Sequence, residues 1–160
     1  GNFPEQIENN KAWCDSVFKS LKFKTQTIIT EGAPLLFAEK IYHKNRKSIL
    51  FYLQIDGQPV DRSEWSQNDP YEPVFKTLKN GEWTTEEFDS NQKNIPDDLR
   101  IFARSASDSK GPAMSLISAL KILKEQQIIP EYNIKVVMDF QEELGSPDLP
   151  KAVLNNKSLL

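Results

Sequence analysis

Three places along this chain put carboxylates where an apolar run gives way to a turn. Asp56 follows "SILFYLQI", Asp108 lies between the short apolar piece 99–103 and a helical pattern, and the adjacent pair Glu142 and Glu143 follows "NIKVVMDF". In open α/β sheets, ligands collect at the carboxyl ends of the strands. Carboxylates brought together there repel one another, so either some stay protonated or a cation neutralises them. A divalent metal does this most simply, because carboxylate oxygens are good ligands for it. That chemistry explains two like charges side by side at one strand end. One glutamate is free to bind metal while its neighbour handles a proton. The alternative is plain: acids at strand ends also serve as helix caps and surface charges.

The elements that must position these acids follow from periodicity. Residues 5–21 read as an amphipathic helix, with Cys14, Val17, Phe18 and Leu21 on one face. Cys14, the single cysteine, therefore reads as a buried core thiol and leaves no partner for an intrachain disulfide. Segments 24–31 and 34–42 read as two strands joined by the turn "EGAP". The nearly continuous apolar run 48–55 predicts a central strand covered on both faces. Between them, "HKNRK" reads as a solvated basic hairpin tip carrying the lone histidine, His43. Residues 57–100 read as a long irregular connection, with 82–98 polar and without period, serving either as cover near a site or as a disordered stretch. The sequence "DSKGPAMSLISALKILKEQQ" opens a helix with Pro112 in its first turn and Asp108 or Ser109 as its cap. Residues 133–140 form the next strand, and "SPDLPKAVL" opens a last helix capped by Ser146. Strand, helix, strand, helix is the pattern of an α/β fold, and the early hairpin makes its sheet mixed, with helices on both faces.

Composition sets outer bounds. The chain has 160 residues, 38% hydrophobic and 27% charged, with net charge −3 and pI about 5.3. This is a globular composition without the basic surface that would draw nucleic acid or anionic lipid. No apolar run approaches the roughly 20 residues needed to span a bilayer. The expectation is accordingly no nucleic-acid and no membrane partner. The expected location is cytoplasmic, with a periplasmic or secreted one left open.

The segments "FYLQIDGQPVDRSEW…NDPYEPV", "ARSASDSKGP" and "QEELGSPDL" resemble the successive signatures of the co-catalytic zinc metallopeptidases, the group of carnosinase-like dipeptidases, aminoacylases and succinyl-diaminopimelate desuccinylase. Trp65 and "DPYEP" favour the carnosinase-like branch. The resemblance implies the N-terminal part of a catalytic domain, with the lid domain, through which the parent homodimerises, and the remaining metal ligands further downstream. It implies a hydrolase cleaving an amide bond of a dipeptide or an N-acylated amino acid. Two zinc ions are implied, with manganese as a substitute. By match, Asp108 is the bridging metal ligand, Glu143 binds the second metal, and Glu142 is the general base. Asp56 is the acid that orients a ligand of the first metal, and a cis peptide follows Asp108. Where the family has a histidine ligand, this chain has Gln54, whose neutral amide oxygen is a weak zinc ligand. That substitution supports the alternative of a relative that keeps the fold but has lost its first metal site. His43 cannot replace the missing ligand, because six strand residues at about 3.3 Å each hold it roughly 20 Å away.

Overall fold

The computed structural model describes residues 4–89, 91 and 94–160. Part of the polar stretch 82–98, at positions 90, 92 and 93, lies outside the described residues.

The main sheet has four strands: β1 (Lys24–Ile28), β2 (Leu35–Lys40), β3 (Ser48–Gln54) and β7 (Asn133–Asp139), in the order β1-β2-β7-β3. β1 pairs antiparallel with β2 and β2 antiparallel with β7, while β3 runs parallel to β7, so the sheet is mixed. Alternation divides its side chains between two cores. Leu36, Ala38, Val136 and Met138 face helix α1 (Pro4–Ser20) and helix α2 (Gly111–Glu125), meeting Cys14, Phe18, Ile117 and Leu120. Leu35, Phe37 and Val137 face the other way, towards Ala152 of helix α3 (Leu149–Asn155). Helices therefore cover both faces, as the strand–helix pattern predicts. Among the described residues no helix is long and apolar enough to cross a membrane.

The strand read as central is instead an edge. β3 pairs on one side only among the described residues, and its Ile49, Leu50 and Tyr52 are exposed. The strand buried on both faces is β7, whose residues are buried at every position except Lys135. A run of apolar residues reports that a strand carries greasy side chains; the order of strands decides which of them are covered.

The region 57–100 is also more ordered than its composition suggests. It holds β4 (Val74–Lys79) and β5 (Glu82–Glu86), joined by a turn at Asn80 and Gly81 with positive φ at both. With β6 (Arg100–Phe102) they form a separate antiparallel sheet in the order β5-β4-β6. The apolar piece 99–103 thus belongs to this second sheet, not to the one that ends at Asp56 and Glu142. Aromatic contacts stitch it: Phe75 stacks on Phe88, and Trp83 meets Phe102 edge-on at 4.9 Å.

Two helix starts differ from the caps read in the sequence. Lys110, not Asp108 or Ser109, is the N-cap of α2, and no side chain caps it. Pro112 sits in the first turn as expected. Asp148, not Ser146, precedes α3, and Ser146 adopts positive φ. In both places the residue with capping chemistry points elsewhere: Ser109 Oγ donates to the Gln54 carbonyl, and Ser146 Oγ meets the Tyr52 hydroxyl.

Cys14 is fully buried, and burial pushes its thiol up to about 12. The ordinary value is 9.0, so ionisation favours the unfolded chain: the stability tied to the neutral thiol is complete below pH 9 and is lost as pH rises towards 12. At pH 8 the thiolate fraction is lower than that of a free cysteine by about three powers of ten. Ellman's reagent should therefore leave the native protein unlabelled and label it fully in guanidinium. Equal labelling in both would show that α1 is not docked as described.

Candidate functional site

β3 and β7 are parallel neighbours and end together, Gln54 opposite Asp139. Asp56 and the Glu142–Glu143 pair therefore emerge side by side from adjacent strand ends. Asp108 comes from a different direction. It lies in the irregular turn Ala106–Lys110 between the second sheet and α2, with non-helical backbone at Asp108 and Ser109 and a cis peptide bond between them, as the resemblance implies. Gly111 lets this turn close. A Cβ there would stand 2.5 Å from the Ala106 carbonyl oxygen, to which the Gly111 N–H donates.

The carboxylates fall into two groups. In the first, the Gln54 side chain stands between Asp108 and Glu142: Nε2 is 2.6 Å from Glu142 Oε2 and 3.4 Å from Asp108 Oδ1. In the second, Asp56 Oδ2 accepts the Glu143 backbone N–H at 3.1 Å, and Gln58 Nε2 donates to Glu143 Oε2 at 2.9 Å. The acids still sense one another. Glu142 is raised above the usual carboxylate range, first by desolvation and then by the charges of Glu143, Asp56, Asp108 and Asp139. Asp56 is raised as well, chiefly by burial, against the lowering effect of the Glu143 N–H.

The residues present do not make a complete metal centre. Among the described residues no three His, Cys, Asp or Glu side chains are grouped to hold an ion. Gln54 turns its NH₂ towards both carboxylates, and an amide nitrogen so engaged donates and has no lone pair to give. Asp108 and Glu143 offer oxygens, but they belong to different hydrogen-bonded groups. His43 is exposed on its turn and accepts the Asn45 N–H through Nδ1.

Several residues that motif reading passed over support this edge. Asp139 is buried and accepts from the Tyr52 hydroxyl at 2.9 Å and the Gln141 N–H at 2.9 Å, which ties the strand end to the glutamate turn. Burial pushes the Tyr52 phenol up to about 12, with Asp139 adding to it. Lys110 donates to the Ile55 carbonyl at 2.9 Å; burial lowers it and nearby Asp56 raises it. A lysine inside "DSKGP" carries no periodic signal; only the fold brings it against the strand end. Beside these residues opens a cleft of about 430 Å³ lined by Asp56, Gln58, Arg104, Lys110 and Glu143 among others.

A profile of peptidase family M20/M25/M40 matches residues 50–158. Beta-Ala-His dipeptidase of Mus musculus is 27% identical over 124 residues, covering 78% of this chain and 21% of that protein. Cys-Gly metallodipeptidase dug1 of Schizosaccharomyces pombe is 28% identical over 116 residues, covering 72% of this chain and 20% of that protein. The chain thus spans about a fifth of the length of these curated relatives. The crystal structure of human carnosine dipeptidase 1 superposes over 98% of this chain and 32% of its own, with a TM-score of 0.76 at 22% identity, a likeness of fold. The M20 family metallo-carboxypeptidase Sso-CP2 from Sulfolobus solfataricus covers 95% of this chain and 30% of its own, with a TM-score of 0.69 at 26% identity. With a profile match spanning more than half of its residues, this mixed α/β chain belongs to peptidase family M20/M25/M40.

Proposed function

We propose that the protein of which this chain forms part is a divalent-metal-dependent hydrolase that cleaves the amide bond of a dipeptide or an N-acylated amino acid. The observation that carries the reading is the meeting of Gln54, Asp108 and Glu142, from three separate segments, at the carboxyl end of two parallel strands. The relatives' printed names, a Beta-Ala-His dipeptidase and a Cys-Gly metallodipeptidase, supply the substrate class and the metal requirement.

In this reading Glu142 is the proton carrier. Its raised carboxyl accepts a proton from the attacking water and later delivers it to the leaving amine as the C–N bond breaks. Asp56 positions the glutamate turn through the Glu143 N–H. Asp108 and Glu143 are the side chains assigned to metal, zinc or manganese. Because they do not complete a centre, the remaining donors must come from outside residues 1–160, together with the lid through which the parent would form a homodimer. These 160 residues alone should be inactive.

A second reading, a relative that keeps the fold without catalysis, is favoured by the Gln54 amide between Asp108 and Glu142. The two separate in one assay. Full-length protein should release free amino acid from a panel of dipeptides and N-acetyl amino acids in the presence of zinc or manganese, and should lose that activity on chelation. No release with either metal would discard the peptidase reading in favour of the second.

A further inference from the structure

Asp108 reaches the strand ends on a turn, and its own side chain does little to keep it there. Among the described residues its carboxylate has one hydrogen-bond contact, with Gln54 Nε2 at 3.4 Å, near the outer limit for such a bond. The helix that follows gives no help, since no side chain caps the start of α2. The place of the carboxylate must be set by its backbone.

That backbone is fastened to the end of β3 at three points. Ser109 Oγ donates to the Gln54 carbonyl at 3.3 Å. Lys110 Nζ donates to the Ile55 carbonyl at 2.9 Å, one residue beyond the β3–β7 register. The third point is steric: a Cβ on Gly57 would stand 1.9 Å from Ser105 Oγ, so the residue that opens the turn rests against the loop leaving β3. The turn is also closed on itself. The Ser105 carbonyl accepts the Lys110 N–H at 2.9 Å, and the Ala106 carbonyl accepts the Gly111 N–H. Asp108 lies between these anchors.

Of the three, Lys110 has the strongest hold. A hydrogen bond from a charged donor is roughly twice as strong as one between neutral groups, and the Ser109 contact is the longer of the two. Among the described residues Lys110 forms no ion pair with a carboxylate, so its ammonium serves the strand end.

We propose that Lys110, assisted by Ser109, is a positioning residue that holds the Asp108 carboxylate beside Gln54 and Glu142. As a fastening of the turn it stands on this geometry; as a contribution to hydrolysis it rests on the peptidase reading. A misplacement of about 1 Å at a reacting site can cost on the order of 10²-fold in rate, which is why one contact at the base of the turn matters.

The test compares full-length native protein with Lys110→Met, Lys110→Arg, Ser109→Ala and a control, Lys121→Met, at an exposed lysine further along α2. Three quantities are measured: amide hydrogen exchange, zinc retained after dialysis, and kinetics on a cleaved dipeptide. Lys110→Met should speed exchange across 106–111 by about tenfold, the loss of one charge-assisted hydrogen bond, and leave β7 and the rest of α2 at native rates. It should retain less zinc and lower kcat by about 10- to 100-fold, with KM within about twofold. Lys110→Arg keeps a charged donor and should recover most of both. Ser109→Ala should loosen the same amides to a smaller extent, and Lys121→Met should change nothing. Native exchange across 106–111 in Lys110→Met would overturn the proposal. Faster exchange throughout α2 and β7 would do so too, because it marks a general loss of stability. So would a loosened turn with native kcat and native zinc. If Lys110→Met does not fold, Ser109→Ala carries the test, and turn amides as slow as the native ones overturn the fastening. A native protein that cleaves no dipeptide with zinc or manganese overturns the peptidase reading instead, and exchange alone then decides whether Lys110 holds the turn.

Discussion

Glu142→Gln in the full-length protein is expected to lower kcat by roughly 10²–10⁴-fold, the usual contribution of a positioned proton carrier, with KM changed by no more than about twofold. The reason is local. Glutamine keeps the shape of the side chain and can still meet Gln54 through its own amide oxygen, so the strand-end turn has no cause to rearrange. What it loses is the exchangeable carboxyl proton. Desolvation and four neighbouring acids raise the Glu142 carboxyl above the ordinary glutamate range, and so towards the pH at which a group both takes and returns a proton well. Steady-state kinetics on a cleaved dipeptide would check this, with the thermal unfolding midpoint as the control for folding. Near-normal kcat with intact folding would remove Glu142 from the reaction. A rise in KM alone would make it a binding residue instead.

The second expected result concerns metal. Gln54→His should tighten zinc binding at the Asp108 end of the site by about tenfold or more and raise the zinc retained after dialysis towards one further ion per chain. The argument is one of donor and acceptor. In the native side chain the NH₂ lies between Glu142 and Asp108, at 2.6 and 3.4 Å. It partly does what a cation would do there, offering positive hydrogen to two negative oxygens. An ion entering the same place must break those hydrogen bonds and then finds only an amide oxygen, a poorer ligand for zinc than imidazole nitrogen. Histidine reverses both terms. A neutral imidazole donates through one ring N–H where the amide has two, so the metal-free protein should lose about 1 kcal/mol as one carboxylate goes without its donor, and added zinc should restore that stability. If the native protein already retains two ions per chain and Gln54→His adds nothing, the amide is no obstacle, and Gln54 ligates through its oxygen.

How much of this was legible before the structure depends on the distance over which each feature is decided. The helices α1 and α2 and the strands β2 and β7 could be read from periodicity because each buries a face against the same core, and burial leaves its mark in the order of apolar residues. That Asp56 and Glu142 each stand at a strand end was legible for the same reason, since both follow strongly apolar runs; that these two strands are neighbours is shown only by the sheet order. β4 and β5 were not legible. Every residue of β5 except Glu86 is exposed, so nothing in its sequence alternates, and it is a strand only because β4 pairs with it.

The site divides the same way. The residue types, the strand-end positions and the family signatures at 54–56, 108–112 and 142–146 are properties of the chain itself, written in local order. Three other matters are not. Gln54 meets Glu142 across 88 positions and Asp108 across 54, so only the finished fold shows that its amide donates to both. Asp108 reaches the strand ends from a second sheet whose strands carry no periodic signal. Asp56 and Arg104 face one cleft because two loops close on Gly57 and Ser105. Local sequence specifies what a segment buries; which donor faces which acceptor is settled by tertiary packing, because those partners meet only after the core has closed.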